Sequence, residues 1–200
     1  KYNTEYQSIL TGDDSKLVRL EWLKFIPHGH ENINEYDLAV GIDPNAEGND
    51  DASCSLVGRH KVRGTYHIFR IWLKDRGSIT DLVDTIVDWF NRYEPGIYAF
   101  EEVGFQKIYQ KLIQEALLSQ HISIPFIGAP AVGSKPERAR TIGAFSENGT
   151  ITYEGDLEES MAIYRLTHFP EKGLNDGVVD AIYLGWSAFN RSRGKPNSPI

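Results

Sequence analysis

Tyr36-Asp37-Leu38-Ala39-Val40-Gly41-Ile42-Asp43-Pro44 is the stretch that decides how this chain folds. From Tyr36 to Ile42 the run is short, apolar and partly β-branched, which reads as a buried strand. Pro44 has no N–H to offer a ladder, so the strand stops there and leaves an acid, Asp43, at its end. A polar turn follows over 45–51. Two more β-like runs, Ala52 to Val57 and Thr65 to Leu73, are separated by a basic turn containing Gly64, which predicts antiparallel neighbours. Ser78 with Asp81 three residues on opens a helix through Phe90. Ile97 to Phe100 is then a short strand ending on Glu101. Phe105 to Leu117 is an amphipathic helix, and Ile122 to Ile127 is a strand interrupted by Pro125.

Ser134-Lys135-Pro136-Glu137 combines a capping box with proline in the first turn, so a helix runs from there to about Asn148. Thr150 to Tyr153 is a short strand, Leu157 to about His168 is helical, and Asp176 to about Asn190 is the last helix. Short connections make the first three strands an antiparallel meander; the later strands each follow a helix and add in parallel. The expected fold is α/β: a mixed sheet of five strands or more with helices on both faces. Residues 1–35 are weakly patterned, with Leu17 to Leu23 a short strand or helix, and read as an arm or linker remnant. The domain is 36–190, and 191–200 is a basic, flexible tail.

Composition narrows the function. At 200 residues with 40% hydrophobic and 24% charged, the chain has material for one sizeable core. No apolar run approaches the roughly 20 residues of a membrane span. The lone Cys54 excludes a disulfide scaffold and fits a reducing cytoplasm. A start without Met or a signal layout suggests an excised fragment. The net charge of −7 argues against a protein that coats nucleic acid by bulk charge, but not against one that touches it locally.

The chemistry lies in where the acids fall. Asp43 and Glu101 each end a strand; if those strands are parallel neighbours, both acids emerge at the edge where open α/β sheets place their sites. Asp176 and Asp180, four residues apart, share one face of the last helix. Strand alternation puts Asp43 with Ala39 and Gly41, and Glu101 with Ala99, while Glu102 turns away. Gly177, Ala181 and Gly185 make a small-residue stripe beside Asp176 and Asp180, which would let helix and sheet approach closely. Four carboxylates at close range repel unless a cation joins them. Oxygen ligands without His or Cys suit Mg²⁺ or Mn²⁺. Two such ions about 3.5–4 Å apart promote phosphodiester hydrolysis. Lys135 and Arg138, in the first turn of a capped helix, are candidates for holding a DNA backbone, with Arg140 and the basic tail as weaker ones. There is no Gly-rich phosphate loop, and His28-Gly29-His30 lacks further spaced metal ligands.

In four segments the sequence resembles the nuclease domain of the large terminase subunit of tailed bacteriophages, a ribonuclease H-like superfamily. They are Val40 to Pro44, Phe100-Glu101-Glu102-Val103-Gly104-Phe105-Gln106, Lys135 to Ala139, and Asn175-Asp176-Gly177-Val178-Val179-Asp180-Ala181, with Phe169-Pro170 shortly before the last. The resemblance implies a ribonuclease H-like fold and a metal-dependent endonuclease that cuts concatemeric double-stranded DNA. Asp43, Glu101 and Asp176 would be the metal-binding catalytic acids, and Asp180 a further ligand or support. It implies Mg²⁺ or Mn²⁺, an ATPase domain upstream, portal protein and small terminase subunit as partners, and the cytoplasm of an infected host. The family often has His-Asp-Asp where this chain has Asn175-Asp176-Gly177, which leaves Asp176 and Asp180 as alternatives for the main ligand. Two rivals share parts of the pattern: another ribonuclease H-like nuclease, such as a junction resolvase or transposase, and a non-catalytic docking module of the motor.

Overall fold

The computed structural model describes residues 16–44, 51–101, 106–129, 132–171 and 174–191. Seven strands occur in chain order: β1 Phe25–Ile26, β2 Tyr36–Asp43, β3 Asp51–His60, β4 Tyr66–Asp75, β5 Ile97–Glu101, β6 Phe126–Ala129 and β7 Ile151–Glu154. Among the described residues the α-helices are α1 Ile79–Tyr93, α2 Gln106–Ser119, α3 Lys135–Glu147, α4 Met161–His168 and α5 Gly177–Arg191. The strands form one sheet in the order β1-β7-β4-β3-β2-β5-β6.

β2, β3 and β4 are the antiparallel meander, with Tyr36 opposite His60 and Asp43 opposite Ser53. β5 joins β2 in parallel, placing Ile42 beside Phe100, and β6 joins β5 in parallel. The sheet is larger than five strands because β7 adds in parallel to the far edge of β4, and β1 adds to β7. The segment before Tyr36 therefore contributes to the fold: Val18 and Leu23 are buried, and Phe25–Ile26 completes the sheet.

Alternation along β2 divides the core. Val40 and Ile42 join Leu56, Tyr98 and Phe100 in packing against Leu82, Ile86 and Trp89 of α1 and Ile113 and Leu117 of α2. Ala39 joins Val57 and Ala99 on the opposite face, with Ile142 of α3, Ile163 and Leu166 of α4 and Val178 and Ile182 of α5. Helices thus cover both faces.

Two boundaries differ from the sequence reading for local reasons. The strand expected over Ile122 to Ile127 begins at Phe126, just past Pro125. The helix expected from Leu157 begins at Met161, because the Ser160 hydroxyl accepts the Ile163 N–H as its N-cap; Gly155–Leu157 is a separate 3₁₀ turn. The boxes at α1 and α3 form as their sequences require. The Asp81 carboxylate accepts the Ser78 N–H (2.9 Å), and Glu137 accepts the Ser134 N–H (2.6 Å). Among the described residues no helix is long and apolar enough to cross a membrane.

Candidate active site

β2 and β5 run side by side in the same direction, so Asp43 and Glu101 emerge at one edge of the sheet. Helix α5 brings the other two acids to that edge by lying unusually close to the strands. A Cβ on Gly41 would overlap the Ala181 carbonyl oxygen and the Gly185 nitrogen. Gly185 in turn packs on Val57 and Gly41, and Ser55 Oγ donates to the Ala181 carbonyl at 2.8 Å. At the start of the helix, a Cβ on Gly177 would come within 3.0 Å of Ser53 Oγ and 3.3 Å of Asp43 Oδ2. The stripe read from Gly177, Ala181 and Gly185 is the docking surface of α5. Asp176 stands at its N-cap and Asp180 in its first turn, where the Asp180 N–H bonds the Asp176 carbonyl.

Two cations from the first turn of α3 bind these acids together. The Arg138 guanidinium donates to Glu101 Oε1 at 2.5 Å and to Asp180 Oδ1 at 2.7 Å. Lys135 Nζ lies 2.7 Å from Asp176 Oδ2 and 3.6 Å from Asp180 Oδ2. Arg138 and Asp180 side chains are each 4% exposed, against 48% for Lys135. Arg138, expected to contact a DNA backbone, is buried, donates to two carboxylates and is set over the Tyr183 ring at 5.7 Å. Lys135 retains an open side. Arg140 is exposed on α3 and takes no part in the ion pairs that hold the acids. Glu102 and the tail beyond Arg191 lie outside the described residues.

The charges shape one another. Burial pushes the Asp180 carboxyl above the ordinary aspartate range, while Arg138 and Lys135 pull the other way. Burial works against the Lys135 ammonium, yet its hydrogen bond to Asp176 and the charges of Asp176, Asp180 and Asp43 outweigh it, and its pKa rises. Arg138 is held protonated in the same way by Asp180 and Glu101.

Among the described residues no three His, Cys, Asp or Glu side chains converge tightly enough to hold a metal ion as they stand. The donor chemistry nevertheless fits a hard divalent cation. Three elements deliver only carboxylate oxygens to one edge, and the cations already drawn in show that the cluster demands positive charge.

Sequence reasoning missed the inward turn of Arg138 and a fifth acid. Asp51, at the start of β3, is buried and paired with Arg165 of α4 beside the α5 N-terminus. The sequence placed Asp51 in a polar turn, and only the extra length of β3 turns it towards α4. For Arg138 the available signal was its spacing of three from Lys135, which puts both on one side of α3.

No family model matches the sequence, and no curated protein matches it. Comparison of three-dimensional structures does find likenesses. The nuclease domain of the P22 large terminase superposes with a TM-score of 0.64 at 13% identity, covering 87% of this chain and 90% of that one. The large terminase nuclease of thermophilic phage G20c with bound zinc gives 0.59 at 16% identity, covering 84% and 95%. The human cytomegalovirus terminase nuclease domain, soaked with manganese, gives 0.55 at 12%, covering 84% and 90%. Likeness at such low identity speaks for architecture, and with the mixed sheet and its two helical layers it gives this chain the ribonuclease H-like fold found in large terminase nuclease domains.

Proposed function

We propose that this chain is the metal-dependent endonuclease domain of a phage DNA-packaging terminase large subunit, and that it cuts concatemeric double-stranded DNA. The observation that carries the reading is the meeting of Asp43, Glu101, Asp176 and Asp180, from three separate elements, at the parallel-strand edge of a ribonuclease H-like sheet. The similar folds include a G20c terminase nuclease solved with bound magnesium, which agrees with this donor set.

Asp43, Glu101 and Asp176 would hold Mg²⁺ or Mn²⁺, which when bound supplies Lewis acidity for phosphodiester hydrolysis. The chain's own residues prepare the rest. Arg138 fixes the directions of Glu101 and Asp180 from below. Lys135, open on one side at the start of α3, binds the non-bridging oxygens of the phosphate being cut and balances the charge that builds on them. Hydrolysis joins a water oxygen to phosphorus, breaks one phosphorus–oxygen ester bond and gives the departing oxygen a proton. Contacts of this kind are to phosphates and not base edges, so cleavage has little sequence preference. The ATPase domain, portal protein and small terminase subunit belong to the same reading as partners.

The test is conversion of supercoiled plasmid to nicked and linear forms in Mn²⁺ or Mg²⁺, with loss of cleavage in excess chelator and in Asp43→Ala. An intact plasmid in every metal would leave the fold as a docking module only. Cleavage that persists in chelator would overturn the metal dependence.

A further inference from the structure

Helix α4 has two unlike faces. Ala162, Ile163, Leu166 and Thr167 are buried against the sheet. The outward side carries Met161, Tyr164, Arg165 and His168, at the three- and four-residue spacing of one helical face. Met161 is 60% exposed and Tyr164 47%. In a chain with 28 acidic residues this face has none; Glu158, Glu159 and Glu171 lie beyond the two ends of the helix. Tyr164 is also held in place. The His168 ring stacks on it, with centroids 4.1 Å apart and planes at 23°. His168 Nδ1 lies 2.8 Å from the Tyr164 carbonyl, which only accepts, so Nδ1 carries a proton and the imidazole is anchored to the residue it covers.

This face adjoins the acidic edge. Arg165 pairs with Asp51 at the start of β3, and the Asp51 carbonyl oxygen lies 3.2 Å from the Cβ position of Gly177, the first residue of α5. Lys135 of α3 reaches the same helix start through Asp176. α3 thus meets the edge over β5, where Arg138 bonds Glu101, and α4 meets it over β3. With β2 between them, those strands are about 10 Å apart.

We propose that the outward face of α4 is a second DNA contact, lying along the sugar–phosphate backbone of the duplex. The Tyr164 hydroxyl donates to a phosphate oxygen, and its ring and Met161 pack on deoxyribose. His168 is a positioning residue that keeps the Tyr164 ring in one orientation. Tyrosine contacts of this kind fix the register of a protein on a duplex without reading its sequence. The face suits DNA because it offers apolar surface and a neutral donor with no carboxylate to repel phosphate, and because it continues the edge where the acids lie. This inference rests on the nuclease reading above.

The contact is uncharged, which gives it a signature. Binding of a labelled duplex to the intact chain is followed by fluorescence anisotropy over a salt series in Ca²⁺. Tyr164→Ala should weaken binding about five-fold at every salt concentration, the effect of one lost neutral hydrogen bond. The slope of affinity against salt should not change, because no counterion is released at this contact. His168→Ala should cost about two-fold, again without a change of slope, and His168→Phe, which keeps the stack, should bind like the parent. Melting temperatures of the variants should match the parent. If affinity in Ca²⁺ is too weak to read, KM for plasmid nicking gives the same comparison, rising while kcat holds. Unchanged binding by Tyr164→Ala, or a flattened slope, overturns the inference and leaves α4 as a face for a protein partner, with the nuclease reading intact. A loss of binding that tracks a lowered melting temperature marks a structural role and overturns it too. A parent chain that neither binds the duplex nor nicks plasmid in any metal overturns the nuclease reading itself.

Discussion

Gly41 sits where a strand and a helix touch without side chains between them, since any Cβ there meets the backbone of Ala181 and Gly185. Gly41→Ala should therefore cost about 2 kcal/mol or more, an overpacking penalty at a site walled by backbone that cannot rotate away. It should also lower cleavage, because a displaced α5 carries Asp176 and Asp180 with it; urea unfolding and plasmid nicking on the same samples check both parts. Arg138→Ala should destabilise by about 3 kcal/mol, since it removes a buried guanidinium that bridges the buried Asp180 carboxylate and the part-buried Glu101. Arg138→Lys should recover part of that loss in the same unfolding measurement. Asp43→Ala, Glu101→Ala and Asp176→Ala should each abolish cleavage while circular dichroism stays native. The placement of the four candidate acids at one edge of the sheet was legible in the sequence because each falls where a regular element begins or ends, and periodicity fixes such points. The bridge through Arg138 was not, because it depends on how near α3 comes to β5 and α5, and no local pattern encodes that distance.

The β4–β7 pair illustrates what elements add. His67 of β4 is fully buried, with Nδ1 2.8 Å from Thr152 Oγ1 and Nε2 2.8 Å from Glu154 Oε2 on β7. The ionised carboxylate only accepts, which assigns the ring proton to Nε2. Burial holds the His67 pKa below its ordinary value despite Glu154 and Glu31, with Arg63 also opposing protonation; the Tyr36 and Phe69 rings complete its surroundings. The unfolded chain therefore binds a proton that the folded chain resists. Stability is full above about pH 6.5 and falls as the pH drops below it. For Glu154, burial opposes ionisation but His67, the Gly29 N–H and His28 outweigh it and lower its pKa, so its contribution is lost further down, below its ordinary value. Melting temperatures at pH 7.5, 6.5 and 5.5 should decline for the parent and change less for His67→Gln; equal declines would remove His67 as the cause. β7 was read from sequence as a strand over Thr150 to Tyr153, but its place at the far edge of β4, and β1 altogether, were not. A two-residue strand such as Phe25–Ile26 has no period, and its pairing with Tyr153 and Glu154 joins residues far apart in the chain. The longer strands and the amphipathic helices, whose periodicity spans several turns or pleats, were legible.

For the molecule as a whole, a net charge of −7 means that, on the proposed function, DNA would be held through a few local cations against a repulsive background. Lys135→Ala should weaken binding to all sequences alike and flatten the salt dependence by about one unit of slope. Arg138→Lys should leave the slope unchanged, because that charge faces carboxylates. Fluorescence anisotropy of a labelled duplex over a salt series distinguishes the two. On the proposed function, the close seating of α5 in the face of β2 and β3 also bears on when the chain becomes able to cut. A ribosome lays down Asp43 and Glu101 well before Asp176, Asp180 and the Gly185 that locks the helix in place. Until that helix emerges, the nascent chain has only half of its acids and an open trough where the helix belongs. On the proposed function, partial translation products are harmless to nearby DNA, and the fold serves as its own safety catch during synthesis.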